Sequence, residues 1–278
     1  MAHYFASDVH LREDHPERDQ RFRRFVEGLS RTDSLVIVGD LCDFWMGARK
    51  SDRQLAAYPS LRSLAEFRRA GGSLTILPGN HDYWLQPFYG NVLGATLLPD
   101  PADLLVEGLR IRLAHGHLLG ARRMWKAAME SRAFFRAFGL LPGPFARPLD
   151  RVLCWKNERG LLADEERHLA VYRTYAASCR GVADLLVIGH VHRAVDEPGA
   201  GARLIVLGGW QHRSSYLRID ESEAIFRVIP DGKTTAGRDD ANASSTASGP
   251  LAESDTNAWT THLAAASGSP RMTLDDPR

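Results

Sequence analysis

Residues 74–84 have the sequence LTILPGNHDYW, and the predicted fold is built around them. The first half, residues 74–78, is a short apolar run that predicts a buried β-strand. The polar stretch at 79–82 (GNHD) follows at once, so groups that bind metals or transfer protons emerge where a strand ends. The same arrangement occurs four more times along the chain. We therefore expect several strands to deliver polar side chains to one edge of the fold.

The other four junctions also join an apolar run to Asp or His. They are residues 4–10 (YFASDVH), 35–43 (LVIVGDLCD), 110–117 (RIRLAHGH) and 185–192 (LLVIGHVH). The metal ligands predicted from the five strand ends are Asp8, His10, Asp40, Asn80, His115, His190 and His192. Imidazole mixed with carboxylate suits Mn, Fe, Zn or Co. Seven ligands are too many for one ion and suit two ions if one carboxylate bridges them.

A pair of metal ions predicts a reaction as well as a site. Two divalent cations outweigh two ligand carboxylates in charge, so the centre favours an anionic substrate. Paired metals about 3.5–4 Å apart are a recurring solution for phosphoester hydrolysis because they stabilise the attacking and leaving oxygens together. A single histidine of this set is more often a satisfied polar residue than a ligand. The prediction depends on the occurrence of compatible residues at all five strand ends.

Composition bounds the remaining classes of function. Among 278 residues, 44% are hydrophobic and 25% are charged, which is ordinary for a globular protein. The formal net charge of +1 gives no argument for nucleic acid as a partner. Three cysteines without a CxxC pair fit a reducing compartment. Strand-like residues begin at His3, and no apolar run approaches the roughly 18 residues that span a bilayer. We expect a cytoplasmic protein.

The predicted elements alternate between strands and helices, which is typical of a sheet covered by helices. Helices are expected at 16–30, about 52–70 and about 163–178. A hairpin is expected from 103–107 and 110–114, which Gly108 separates. The alternation predicts an α/β protein.

One domain is expected to span residues 1–230. Within it, residues 118–160 hold nine Lys or Arg against three acids among many apolar side chains, and three prolines cut them into short helical pieces. We interpret this stretch as a helical insertion, or lid. Residues 231–278 contain hardly an apolar cluster, so they cannot offset the entropy of ordering, and we expect this tail to be disordered.

The five motifs as a set resemble those of the calcineurin-like metallophosphoesterase family. The resemblance covers most of residues 1–230 and implies a four-layer αββα sandwich with a dinuclear centre between the loops of the two sheets. It implies one metal held by Asp8, His10, Asp40 and His192, and a second held by Asp40, Asn80, His115 and His190. It also implies that His81 faces the phosphate as proton donor or charge stabiliser, with Asp82 orienting its ring. Asp43 is either a further partner of these groups or a helix cap.

Three further features resemble UDP-2,3-diacylglucosamine diphosphatases: the aromatic residues Phe44 and Trp45, the basic apolar insertion, and the segment 206–210 (VLGGW). The resemblance implies a nucleotide-sugar lipid whose pyrophosphate is hydrolysed, during lipid A assembly, to UMP and 2,3-diacylglucosamine 1-phosphate. It implies manganese as the metal and contact with the inner membrane surface. The chain departs from the best-described members at His81, where they carry Arg.

The residues expected to contact this substrate lie in the motif and the insertion. They are Asn80, His81, Arg122, Trp125, Lys156 and Asn157. Acyl chains need an apolar groove, which Trp125, Met129, Phe134, Phe135 and Phe138 are placed to line. The alternative is that these apolar residues pack the insertion onto the body while its bases face solvent.

Three other functions stay open. The enzyme could act on another phosphomonoester or phosphodiester with a soluble substrate, the fold could serve as a metal-binding scaffold without turnover, or the basic insertion could belong to a membrane-surface adaptor. Retention of every expected ligand argues against the scaffold, and the adaptor ignores the metal motifs. The sequence does not reveal the oligomeric state.

Overall fold

Residues 1–119, 131–211 and 213–229 are described by a computed structural model. The strands are β1 (His3–Ala6), β2 (Ser34–Val38), β3 (Ser73–Leu77), β4 (Thr96–Leu97), β5 (Ala102–Val106), β6 (Leu109–Ala114), β7 (Leu185–Ile188), β8 (Val195–Glu197), β9 (Arg203–Val206), β10 (Ser214–Asp220) and β11 (Glu223–Ile229). The α-helices are α1 (Pro16–Glu27), α2 (Phe44–Arg49), α3 (Asp52–Ala56), α4 (Pro59–Arg69), α5 (Gln86–Asn91), α6 (Arg132–Leu140) and α7 (Gly143–Ser178), with a short 3₁₀ helix at Tyr83–Leu85.

The strands form two sheets. The first has the order β11-β10-β1-β2-β3-β4, in which β1 to β4 are parallel. The second has the order β5-β6-β7-β9-β8, in which β6, β7 and β9 are parallel. Carboxyl ends of parallel strands meet at one edge, which is where α/β folds place their sites. The five polar junctions follow β1, β2, β3, β6 and β7, as the sequence predicts.

Three apolar clusters separate four layers. Phe5 and Val38 of the first sheet pack with Leu113 and Val187 of the second in the central cluster. An outer cluster joins α1 and α4 to the first sheet, and another joins the second half of α7 to the second sheet. The order helix, sheet, sheet, helix confirms the predicted αββα sandwich.

All three predicted helices have different bounds in the structure, and the helix expected over 16–30 ends at Glu27. The helix expected over 52–70 is divided into α3 and α4, because Ser51 and Gln54 form a capping box that begins α3 and Pro59 begins α4. The amphipathic pattern continues across the division, so periodicity alone does not reveal it.

The insertion is helical, but it does not break at Pro148. The single helix α7 runs through that residue for 36 residues and includes the separate helix expected at 163–178. Pro148 lies near the start of α7, where a missing backbone N–H and a ring clash are tolerated better than at mid-helix. Residues 120–130 of the insertion and the expected tail at 231–278 lie outside the described residues. No helix in the described ranges is both long and apolar enough to cross a membrane.

Candidate metal centre

The loops that follow the strands hold their polar residues in a strained backbone conformation. Asp8, His10, Asp40 and His190 all have positive φ, at 52°, 47°, 52° and 66°. For residues other than glycine this conformation costs about 1–3 kcal/mol each and persists only where the surroundings impose it. Backbone hydrogen bonds impose it here, since Asp8 N donates to Gly39 O at 3.1 Å and His10 N donates to Asp40 O at 3.0 Å. Such strain is concentrated at functional sites.

Two glycines let these loops approach each other. A Cβ on Gly79 would lie 2.1 Å from Asp40 Oδ1, and a Cβ on Gly39 would lie 2.1 Å from His115 Nδ1. Gly39 also has a φ of 87°, which favours glycine. Any side chain at either position would displace a candidate ligand.

One group of candidate ligands comprises Asp8, His10 and His192. His10 Nε2 lies 3.2 Å from His192 Nε2, and Asp8 Oδ1 lies 3.7 Å from the first and 3.9 Å from the second. Asp8 Oδ1 is buried, and no hydrogen-bond donor in the described parts of the chain reaches it. A buried carboxylate oxygen without a donor is costly unless a cation meets it. The three groups therefore fit a divalent metal ion.

A second group comprises Asp40, His115 and His190. Asp40 Oδ2 lies 3.3 Å from His115 Nε2 and 3.8 Å from His10 Nε2, so it stands between the two groups. His115 Nε2 also lies 3.1 Å from Asn80 Oδ1. All seven residues predicted as ligands thus meet at one centre.

The charges of the centre are set by burial and by mutual attraction. Burial lowers the pKa of His115, but the carboxylates of Asp40 and Asp8 outweigh burial and raise this pKa to about 10. Burial opposes ionisation of Asp40, yet His115 and His81 hold its pKa well below the usual range. Burial and the neighbouring His10 lower the pKa of His192 to about 4, so its ring is neutral, as a metal ligand must be.

Two supporting residues were missed in the sequence analysis. Ser7 Oγ lies 2.5 Å from Asp8 Oδ2 and 2.6 Å from Val38 O, so its single O–H can donate to either one, and it lies against the carboxylate of Asp8. Gln211 Nε2 lies 3.1 Å from His192 Nδ1. Ser7 directly precedes a predicted ligand, and Gln211 directly follows the segment 206–210, so each had only a weak signal in the sequence.

The group that orients His81 is Asp43, and the expected role of Asp82 is wrong. His81 Nδ1 lies 3.1 Å from Asp43 Oδ1. Burial lowers the pKa of His81, but attraction to Asp40 and the hydrogen bond to Asp43 outweigh it and raise the pKa to about 9. Asp43 also caps α2, since its Oδ1 accepts from Phe44 N at 2.6 Å. Both alternatives considered for Asp43 therefore hold.

Asp82 instead joins the loops on either side of it. Its carboxylate is fully buried and accepts hydrogen bonds from the backbone N–H groups of Leu41, Cys42 and Gly79 and from the hydroxyl of Tyr89. The 3₁₀ helix begins at the next residue, and the side chain of Asp82 makes no capping hydrogen bond to it. Asp82 thus holds together the loops that carry Asp40 and Asn80.

The expected substrate contacts are only partly described. Asn80 and His81 are partly exposed, as is His192, so they form the side of the centre that a substrate can reach. Arg122 and Trp125 lie outside the described residues. Lys156 and Asn157 belong to α7, but their side chains are not described.

The aromatic residues of α6 pack onto the body. Phe44 contacts Phe138 and Phe135, with ring centroids 4.9 Å and 5.2 Å apart, and Phe138 is 1% exposed. Arg49 Nη1 donates to the carbonyls of Gly139 and Leu141 at the end of α6. Phe138 therefore belongs to the packing alternative, and the insertion lies against the loop that follows Asp43.

The model of the calcineurin-like phosphoesterase family matches residues 3–194. A UDP-2,3-diacylglucosamine hydrolase of Ralstonia nicotianae is 32% identical over 247 residues, covering 78% of this chain and 89% of that protein. Proteins of the same name from Haemophilus influenzae and Neisseria meningitidis are 30% and 29% identical, covering 80% of this chain and 97% and 96% of those proteins. The chain belongs to the calcineurin-like phosphoesterase family. It is a metal-dependent hydrolase.

Proposed function

We propose that the protein hydrolyses the pyrophosphate of UDP-2,3-diacylglucosamine, releasing UMP and 2,3-diacylglucosamine 1-phosphate. The observation that carries the proposal is that the helical insertion packs against the loop after Asp43, the residue whose carboxylate contacts His81. A family hydrolase acting on a small soluble phosphoester has no need of such an element, whereas a lipid-linked diphosphate needs both a cationic centre and an apolar surface. The names of the relatives support the same substrate.

The centre would hold two divalent ions, and we propose manganese, with Fe, Zn or Co as alternatives. When bound, the ions supply positive charge to the phosphate and activate water. Asp8, His10, Asp40 and His192 would hold one ion, and Asp40, Asn80, His115 and His190 the other. The carboxylate of Asp40 stands between the two groups, which supports this division.

His81 would act on the substrate itself. Asp43 Oδ1 lies 3.1 Å from Nδ1 of the ring and accepts a hydrogen bond from it, which leaves Nε2 for the phosphate. From there the ring can donate a hydrogen bond to a phosphoryl oxygen or a proton to the leaving oxygen, which is the usual contribution of a positioned histidine acid.

The insertion would receive the acyl chains and touch the inner membrane surface from the cytoplasm. Leu140 and Phe145 are 85% and 69% exposed, and Leu149 and Val152 are exposed beside them. Arg136, Arg147 and Arg151 are exposed on the same two helices. Apolar side chains among arginines suit an interface with anionic lipid.

The test is an assay of the purified protein with Mn²⁺ and UDP-2,3-diacylglucosamine, following UMP release, with Asp40→Ala as the blank. Release well above the blank is expected. Turnover of bis(p-nitrophenyl) phosphate without UMP release would discard the lipid substrate and favour another phosphoesterase. If neither substrate is hydrolysed although metal is bound, the result would favour a metal-binding scaffold without turnover.

A further inference from the structure

A buried ionic network joins the insertion to His81. Asp150 lies on α7, and its Oδ2 accepts a hydrogen bond from Arg12 Nη2 at 2.6 Å. Arg12 Nη1 donates to Asp43 Oδ2 at 2.9 Å. The other oxygen of Asp43 is the one that contacts Nδ1 of His81. The contacts therefore run without a gap from α7 to the ring proposed to act on the phosphate.

Burial makes the network rigid. The side chains of Arg12, Asp43 and Asp150 are only 10%, 7% and 4% exposed. Breaking one contact of a buried ion pair leaves an uncompensated charge, so such groups keep their geometry. A guanidinium is also planar, and the directions of its donors are fixed relative to one another. A shift of Asp150 would therefore move Arg12 and, through it, Asp43.

Attachment of the insertion does not by itself explain this network. The insertion is already held to the body by Phe138 against Phe44 and by Arg49 on the end of α6. Asp150 adds a buried charge whose partner, Arg12, also holds the carboxylate that orients His81.

We propose that Asp150 is a positioning residue, which fixes the His81 ring through Arg12 and Asp43. The insertion then takes part in the chemical step as well as in binding the substrate. This inference rests on the proposed role of His81. A cavity of about 270 Å³ borders the network and is lined by Arg12, Glu13, Asp14, Trp45, Arg147, Asp150 and Arg151, so a molecule bound under the insertion can reach the network directly.

The first test is a double-mutant cycle with Asp150→Asn and His81→Ala, using bis(p-nitrophenyl) phosphate, which needs no acyl-chain surface. We expect Asp150→Asn to lower kcat roughly tenfold or more, as loss of a supporting partner does, with little change in KM. In the His81→Ala background the same substitution should change kcat by less than about twofold, because the ring it positions is gone.

The matched control is Asp14→Asn. Asp14 accepts from the same guanidinium, at Nε (2.8 Å) and at Nη2 (3.2 Å), but its side chain is 59% exposed and does not lie on the path from Asp150 through Arg12 to Asp43. Its substitution should change kcat by less than about twofold in both backgrounds. If Asp150→Asn does not fold, Arg12→Lys replaces it, because an ammonium cannot span both buried carboxylates as the guanidinium does.

The second test needs no activity. In protein with ¹⁵N-labelled histidine, the ring signal of His81 is identified by its loss in His81→Ala. Asp150→Asn should shift that signal and Asp14→Asn should not. An equal loss of kcat in both backgrounds, or an unmoved His81 signal, overturns the inference. Failure of the proposed function is a different outcome, in which His81→Ala is as active as the wild type or no substrate is hydrolysed, and the ring signal still decides the inference.

Discussion

Replacing Asp82 by Asn should destabilise the fold more than it impairs His81. Three backbone N–H groups and one hydroxyl donate to this fully buried carboxylate: those of Leu41 at 2.7 Å, Cys42 at 3.3 Å, Gly79 at 2.8 Å and Tyr89 at 2.7 Å. Burial and the negative charge of Asp40 raise the pKa of Asp82, while these donors favour its charged form. The substitution removes half of the acceptor capacity at nearly constant volume.

The magnitude follows from the division of donors between the two oxygens. Oδ2 accepts from Leu41, Cys42 and Tyr89, and Oδ1 accepts from Gly79. If the amide oxygen of Asn takes the Oδ2 position, its NH₂ group faces the N–H of Gly79. The NH₂ group of Asn and the N–H of Gly79 are then both buried without an acceptor. Each unsatisfied donor lowers the stability of the fold by about 1–3 kcal/mol. We expect the free energy of unfolding to fall by about 3 kcal/mol.

Urea unfolding followed by tryptophan fluorescence measures this loss, since Trp210 is fully buried in the core. Tyr89→Phe is the matched control, because it removes one of the four donors and leaves the carboxylate in place; it should cost about 1.5 kcal/mol. A loss below about 0.5 kcal/mol for Asp82→Asn, together with a fall in kcat as large as that of Asp43→Asn, would refute the reasoning and return the ring-orienting role to Asp82.

Three further outcomes are expected. Gly79→Ala should lower kcat by about a hundredfold and reduce bound metal, measured by mass spectrometry, because its Cβ would lie 2.1 Å from Asp40 Oδ1; normal metal content would contradict this. Manganese affinity in the calorimeter should rise from about pH 6 to about pH 8, because the raised pKa of His115 means that a proton must leave before a cation binds; a flat profile would count against His115 as a ligand. Phe145→Glu should lower kcat/KM for the lipid substrate by roughly tenfold and leave turnover of bis(p-nitrophenyl) phosphate unchanged; equal losses on both would point to damage to the fold.

The strands, and the gathering of the candidate ligands at one edge, were predictable because their signals are local. Each junction joins an apolar run to polar residues within a few positions, and parallel strands bring such junctions to one edge. Asp8 and His10 lie two residues apart in the chain, so one strand end predicts both as candidate ligands. The sequence does not show that the loops adopt a strained backbone conformation, with positive φ at Asp8, His10, Asp40 and His190.

The orienting partner of His81 was not predictable in the same way. Asp43 and Asp82 are both carboxylates near His81 in a motif, and the choice depends on which way the chain turns after residue 81. Asp82 turns into the core directly before the 3₁₀ helix at Tyr83–Leu85, and the cap of α2 leaves Asp43 beside the ring. Neither direction follows from residue spacing.

The contact between Arg12 and Asp150 could not be predicted from neighbouring residues in the sequence. The two residues are separated by 138 positions, and Asp150 lies in an insertion whose helical register the sequence does not define. Pro148 even suggests a break two residues before it. A long-range pair of this kind becomes visible only when the packing of α7 on the body is known.

A dinuclear centre is tested by counting and characterising the metal in the purified protein. Manganese content by mass spectrometry and the electron paramagnetic resonance spectrum should give two ions per chain with the spin-coupled signal of a bridged pair, and Asp40→Ala should lose both the coupling and metal. One ion per chain, or two ions without magnetic coupling, would contradict a centre in which the carboxylate of Asp40 bridges the two groups of ligands.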